Sequence, residues 1–203
     1  MADSFGIPQL MDYLLQMGLK IGRVDREQEI IEVAFHGNHG QWRMIIGIQQ
    51  SGDVRKLMLI APHIDTVTTK KRLECLEALM AVNYRIALGK FGLDLDDGEV
   101  RLEETIPLAD HDISFKQFQL AFSAIMQTVA IYHSLLPRIV YGNESVQEAL
   151  RSCERDFFQK ADQSANTDEL PAISDPDRTE KPPELDVDDV MAEVTRLLEE
   201  HNG

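Results

Sequence analysis

Between Glu29 and Ala61 the chain runs through three strand-like segments in direct succession, each parted from the next by a short glycine-bearing connection. The segments are EIIEVAF (Glu29–Phe35), QWRMIIGI (Gln41–Ile48) and VRKLMLIA (Val54–Ala61), joined by HGNHG and QQSGD. β-Branched and aromatic side chains fit a pleated, half-buried surface, and Gly, Asn and Asp supply the turn conformations between runs. Connections this short suit an antiparallel meander. Whatever follows has to cover it.

A second pair of strands is expected around GLDLDDGEVRLEE, Gly92 to Glu104. Phe91, Leu93 and Leu95 alternate with polar residues, and Val100 and Leu102 resume the alternation before Ile106. Asp97-Gly98 between two such segments predicts a type I′ hairpin, because both residues tolerate a positive φ. A calcium loop of the EF-hand kind is a poor fit. Counted from Asp94, the glycine arrives at position 5 instead of 6, and position 12 is Thr105 where a bidentate glutamate is needed. The aspartates belong to the architecture.

Helical spacing appears in four places. Leu10, Tyr13, Leu14 and Met17 make a stripe from about Pro8 to Lys20, which Gly18 or Gly22 can end. From Thr69 to Leu88, Leu73, Leu76, Met80 and Tyr84, with Leu79, Val82 and Ile86 beside them, predict one broad buried face closed by Gly89. SFKQ (Ser114–Gln117) has the pattern of a capping box and starts a long helix through about Leu136, with Phe118, Phe122, Ile125 and Val129 in line and Pro137 as its stop. A further helix is expected from Asn143 to about Phe158, with Val146, Leu150, Cys153 and Phe157 on one side. The fold class is therefore α+β: an antiparallel sheet of about five strands packed by helices in the order α-β-β-β-α-β-β-α, plus extra C-terminal helices.

One block carries a family likeness: LECLEALMAVNYRIALGKFGLDLDDGEVRLEETIPLADHDISFKQFQLAF. It has a helix end with Val82-Asn83-Tyr84-Arg85, a link into Gly89-Lys90-Phe91, and the strand Val100-Arg101-Leu102. In these features the stretch from about Asp12 to Leu136 resembles the YbjN-like family of bacterial domains, in a cyanobacterial-type member. The resemblance implies the fold of type III secretion chaperones, small α+β domains that commonly dimerise and hold a partner chain. It implies no catalytic residues, and a shared fold does not establish an activity.

Charge divides the chain. It carries 35 acidic and 20 basic residues, a formal charge of -15, of which the residues from Cys153 onward hold fifteen acids and five bases. An acidic surface excludes nucleic-acid phosphate as a natural partner. Within the tail, Lys160 to Glu184 has four prolines and almost no large apolar side chains, a composition that cannot offset the entropy of ordering. The expected organisation is an α+β domain with its following helix over 1–158, an acidic disordered linker over 159–184 and an amphipathic helix over 185–203. Two cysteines, Cys75 and Cys153, at helix-core positions fit a reduced compartment. MADSFGIPQL has neither the basic nor the apolar segment of a signal peptide, and no window of about 18 apolar residues is present, so the expected setting is cytoplasmic with no membrane span.

Candidate chemistry is sparse. His36, His39, His63 and Asp65 are the best metal candidates, and the sequence does not indicate that they converge. Ser51, Ser114 and Ser123 lack a nucleophile setting, Cys75 sits among Leu73, Leu76 and Leu79, and Glu103 and Glu104 point to opposite faces of one strand. No enzyme activity, cofactor or metal is expected. The tail offers more. Val187, Val190, Met191, Val194, Leu197 and Leu198 recur at helical spacing behind Asp186, a natural N-cap. An isolated helix of this length is marginal in water, so its stripe needs a surface. These six residues are the expected partner-binding site. The expected function is a non-enzymatic protein-binding module that holds a protein partner of unknown identity, with a homodimer as one form. A ligand-sensing regulatory domain is the alternative.

Overall fold

A computed structural model of the chain describes residues 5–37, 40–108, 112–164 and 185–186. The three leading runs form β2 (Ile30–Gly37), β3 (Gly40–Ser51) and β4 (Val54–Thr66), preceded by a short β1 (Arg23–Asp25). The later pair is β5 (Lys90–Leu93) and β6 (Glu99–Leu108). All pair antiparallel in the order β1-β2-β3-β4-β6-β5. A two-residue β7 (Leu185–Asp186) lies parallel to β2 at Phe35 and His36, beyond the point where β1 ends.

Period-2 alternation gives the sheet two unlike faces. Val33, Met44, Ile46, Leu57, Leu59 and Leu102 are fully buried. The opposite face carries Glu32, Arg43, Gln49 and Arg101 around a centre of half-buried Ile45, Met58 and Ile60. The helices are α1 (Ile7–Gln16), α2 (Arg72–Arg85), α3 (Phe115–Tyr132), α4 (Leu135–Val140) and α5 (Val146–Ser164). α3 lies on β4 and β6, α1 on β2 and α3, and α2 sits beside β5 with α4 and α5 against it. Phe118, Phe122, Ile125 and Val129 are all buried, as their spacing requires. Ser114 starts α3 as a capping box: its hydroxyl accepts from the Gln117 amide and its own amide donates to Gln117 Oε1 at 3.0 Å. Gly18, at φ +72°, ends α1.

Several expectations need correction. The meander has an additional edge strand, β1, too short and too polar to show an alternation. The hairpin at Asp97-Gly98 is not a two-residue type I′ turn. Among these residues only Gly98 has a positive φ, +81°, and the reversal spans Asp94 to Gly98, so Leu95 sits in the turn, 74% exposed, instead of in a strand. Asp94 and Asp97 accept the amides of Asp96 and Glu99, the local bonding that makes Asx turns. Gly98 has a second cause: a Cβ there would meet the Val67 carbonyl oxygen at 2.4 Å.

The third long helix does not run to Leu136. It ends at Tyr132, and Pro137 lies inside the separate α4, where a missing N–H in the first turn leaves no bond unmade. By composition Phe115–Val140 is apolar enough to cross a membrane, with mean hydropathy 1.3, but it is broken into two helices and mostly buried within the fold, α3 against the sheet and α4 against α2 and α5. α5 continues to Ser164, past the expected end at Phe158, and Leu185–Asp186 are strand where the tail helix was expected to begin. The rest of the expected linker and tail helix lies outside the described residues. The largest correction concerns α2.

Candidate functional site

α2 is a sequence of good helix formers, RLECLEALMAVNYR, and it carries apolar residues on two opposite sides. At about 100° per residue, Cys75, Ala78, Leu79 and Val82 centre on one line, while Leu73, Met80 and Tyr84 fall within about 40° of one another on the other. Only the first line is buried. Leu73 is 78%, Met80 66% and Tyr84 93% exposed. The sequence alone groups Leu73, Leu76, Met80 and Tyr84 with Leu79, Val82 and Ile86 on one broad buried face, whereas the helix turns Leu73, Met80 and Tyr84 away from buried Leu79 and Val82. Small Cys75, Ala78 and Val82 let α2 settle closely on its neighbours, and that choice turns the long side chains outward.

The helix that presents this stripe is fixed on several sides. Asn83 clamps the backbone of β5, donating from Nδ2 to the Phe91 carbonyl at 3.0 Å and accepting the Phe91 amide at Oδ1 at 2.7 Å. Arg85 pairs with Glu154 of α5, which also accepts the Tyr132 hydroxyl of α3 at 2.9 Å. Burial, reinforced by that carboxylate, pushes the Tyr132 hydroxyl up to about 12. Before the helix begins, Lys71 donates from Nζ to the Ile139 carbonyl at 2.9 Å and to Asn143, bringing the end of α4 alongside. Lys70 there stands over the ring of Tyr141, 80% exposed, at 5.7 Å. An exposed aromatic ring thus lies near Lys70, just ahead of α2. Burying three or four such side chains is worth roughly 1.5–3 kcal/mol each before ordering costs, enough to drive association.

Other candidates do not assemble into a site. His63 sits at the irregularity in β4, at φ +52°, with Nδ1 3.3 Å from Glu99 Oε1. The ladder puts His36 at the same end of the sheet, but β3 stands between β2 and β4. His39 lies outside the described residues, and Asp65 gives its carboxylate to the Thr66 amide at 2.7 Å. Burial pushes the Asp65 carboxyl up, and among the described residues no group of three potential ligands forms. Burial also pushes up the thiols of Cys75 and Cys153, which disfavours the nucleophilic thiolate. Glu103 pairs with Arg101 at 3.0 Å on the open face, whereas Glu104 accepts the Gly89 amide on the helix side. Val187, Val190, Met191, Val194, Leu197 and Leu198 lie outside the described residues.

The YbjN family model, described as "Putative bacterial sensory transduction regulator", matches residues 9–134. A solved structure, "Crystal structure of YbjN, a putative transcription regulator from E. coli", aligns with TM-score 0.41 and 16% identity over 64% of this chain and 92% of that chain. No curated protein matches the chain.

Proposed function

Since this chain belongs to the YbjN family of bacterial regulators, we propose that it regulates by holding a protein partner, without catalysis, on the solvent face of α2. The observation that carries this is the line Leu73, Met80 and Tyr84, each at least 66% exposed, on a helix whose opposite side is buried. A helix apolar on both sides is normally covered on both. A partner helix laid along the stripe would supply the second cover, read by anchors at i, i+3, i+4 and i+7 spacing. The mode is that of the type III secretion chaperones, which hold a client on the domain surface, and the setting is cytoplasmic. The C-terminal stripe from Val187 to Leu198 would make a second contact, and its tether to the domain raises the effective concentration of that contact. No metal or cofactor has a part in this mechanism.

The test is affinity capture from the native cytosol with the full chain and with the double change Leu73→Asp, Tyr84→Asp. A partner retained by the parent and lost by the variant, at unchanged melting temperature, is the expected outcome. Sedimentation of the purified chain separates the homodimer from a different partner. Equal capture by both chains, or a variant that melts early because its own chain covers the stripe, would overturn the proposal.

A further inference from the structure

At the other edge of the sheet, α1 repeats the same device on a smaller scale. Leu10 and Leu14 are buried, while the line Pro8, Met11 and Leu15, at i, i+3 and i+7, is only partly covered: Met11 packs partly against the core and Leu15 is 59% exposed. This second line walls a cavity of about 500 Å³, within the usual range of small-molecule sites. Its remaining walls are Phe5, the turn between β1 and β2 with Arg26 and Glu29, and Arg55 at the start of β4.

Four charged side chains line the cavity: Asp12, Arg26, Glu29 and Arg55. Among the described residues no ion pair joins any two of this set, although two are acids and two are bases. Arg55, half-buried, donates from Nη2 to the Phe5 carbonyl at 2.7 Å, one of the five donors of its guanidinium fork. Glu29 is held at φ +52°, an uncommon conformation for a residue other than glycine, while its carbonyl accepts the Ile48 amide at 3.1 Å. Backbone strain of this kind persists only where its surroundings impose it, and here it belongs to a residue that lines the cavity.

The occupant follows by elimination. A simple anion would meet Asp12 and Glu29, a simple cation would meet both arginines, and an uncharged apolar molecule would further desolvate the half-buried Glu29 and Arg55 without compensation. We infer that the cavity binds a small zwitterion with an apolar side chain, of amino-acid to dipeptide size. Its carboxylate lies on Arg26 and Arg55, its ammonium between Asp12 and Glu29, and its side chain on Met11 and Leu15. Such a site makes the domain responsive to a metabolite, and it stands independently of the docking face on α2.

The probes are leucine and leucyl-leucine, with N-acetylleucine and leucinamide, each lacking one charge, as controls. Titration of the full chain, followed by amide NMR and calorimetry, should show saturable binding by a zwitterion, with shifts confined to α1, the β1–β2 turn and the start of β4. Each blocked control should bind about tenfold more weakly or worse, as loss of a charge-assisted hydrogen bond implies. Arg26→Gln and Asp12→Asn, both at exposed positions, should weaken binding to a similar degree while the unliganded melting temperature holds. No saturable binding up to the order of millimolar concentration, equal affinity for the blocked controls, or equal affinity in both variants would overturn the inference.

Discussion

Asn83 and Tyr84 stand side by side in the most distinctive part of the sequence, and the structure gives them opposite environments. Asn83 satisfies both backbone groups of Phe91, a partnership across the link between helix and strand that removes any need for a longer connection. Tyr84 touches solvent over nearly its whole surface. Asn83→Ala should therefore cost about 1–3 kcal/mol, because two backbone polar groups lose their partner. Tyr84→Ala should change stability by no more than about 0.5 kcal/mol. Urea denaturation of the two variants measures the contrast, and a large loss at Tyr84 would mean that the α2 stripe is covered. Neither role is legible from residue type. An asparagine near a helix end reads as a cap and a tyrosine at helical spacing reads as core. Gly98 was more transparent, since its positive φ follows from the Asp-Gly pair, but the second constraint, the closeness of Val67, depends on a contact between distant residues.

Elements were legible where one period dominates. The β-branched runs of β2 to β4 and their short glycine-bearing connections gave strand type and antiparallel pairing, and the phenylalanine stripe of α3 gave the helix that covers them. The pattern failed where one helix carries apolar residues on two sides, as on α2, and where burial continues through a break, as between α3 and α4. What holds α2, α3 and α5 together is a polar lock that hydropathy cannot reveal: Arg85, Tyr132 and Glu154 come from one helix each. The lock makes a pH prediction. The Tyr132 hydroxyl ionises in an unfolded chain near its ordinary value of 10.0, but only at about 12 in the fold. Its contribution is fully present below the lower value. Between the two the unfolded state has released the proton and the folded state has not, so stability falls as pH rises through this window. Unfolding free energies measured from neutral pH upward should show this slope in the parent chain and a shallower one in Tyr132→Phe. Identical slopes would show that the hydroxyl carries no such linkage.

For the whole molecule, the sequence separates an ordinary globular half from a strongly acidic end, and the fold accounts for the first without explaining the second. β7 shows where the two meet. Leu185 and Asp186 add to the edge of β2 that β1 leaves open, so the residues that follow start from the sheet and not from the end of α5. Charge could be counted from composition, but this attachment could not, because a two-residue strand has no period. The apolar positions from Val187 to Leu198 follow directly in the sequence and are interspersed with the acids Asp188, Asp189 and Glu193. If they form a second partner contact, Val194→Asp with Leu197→Asp should abolish capture of the partner that α2 retains, since two weak contacts on one tether multiply. The domain ahead of the tail should keep its melting temperature. If instead the melting temperature falls and capture persists, those side chains belong to the domain's own core, and α2 alone holds the partner.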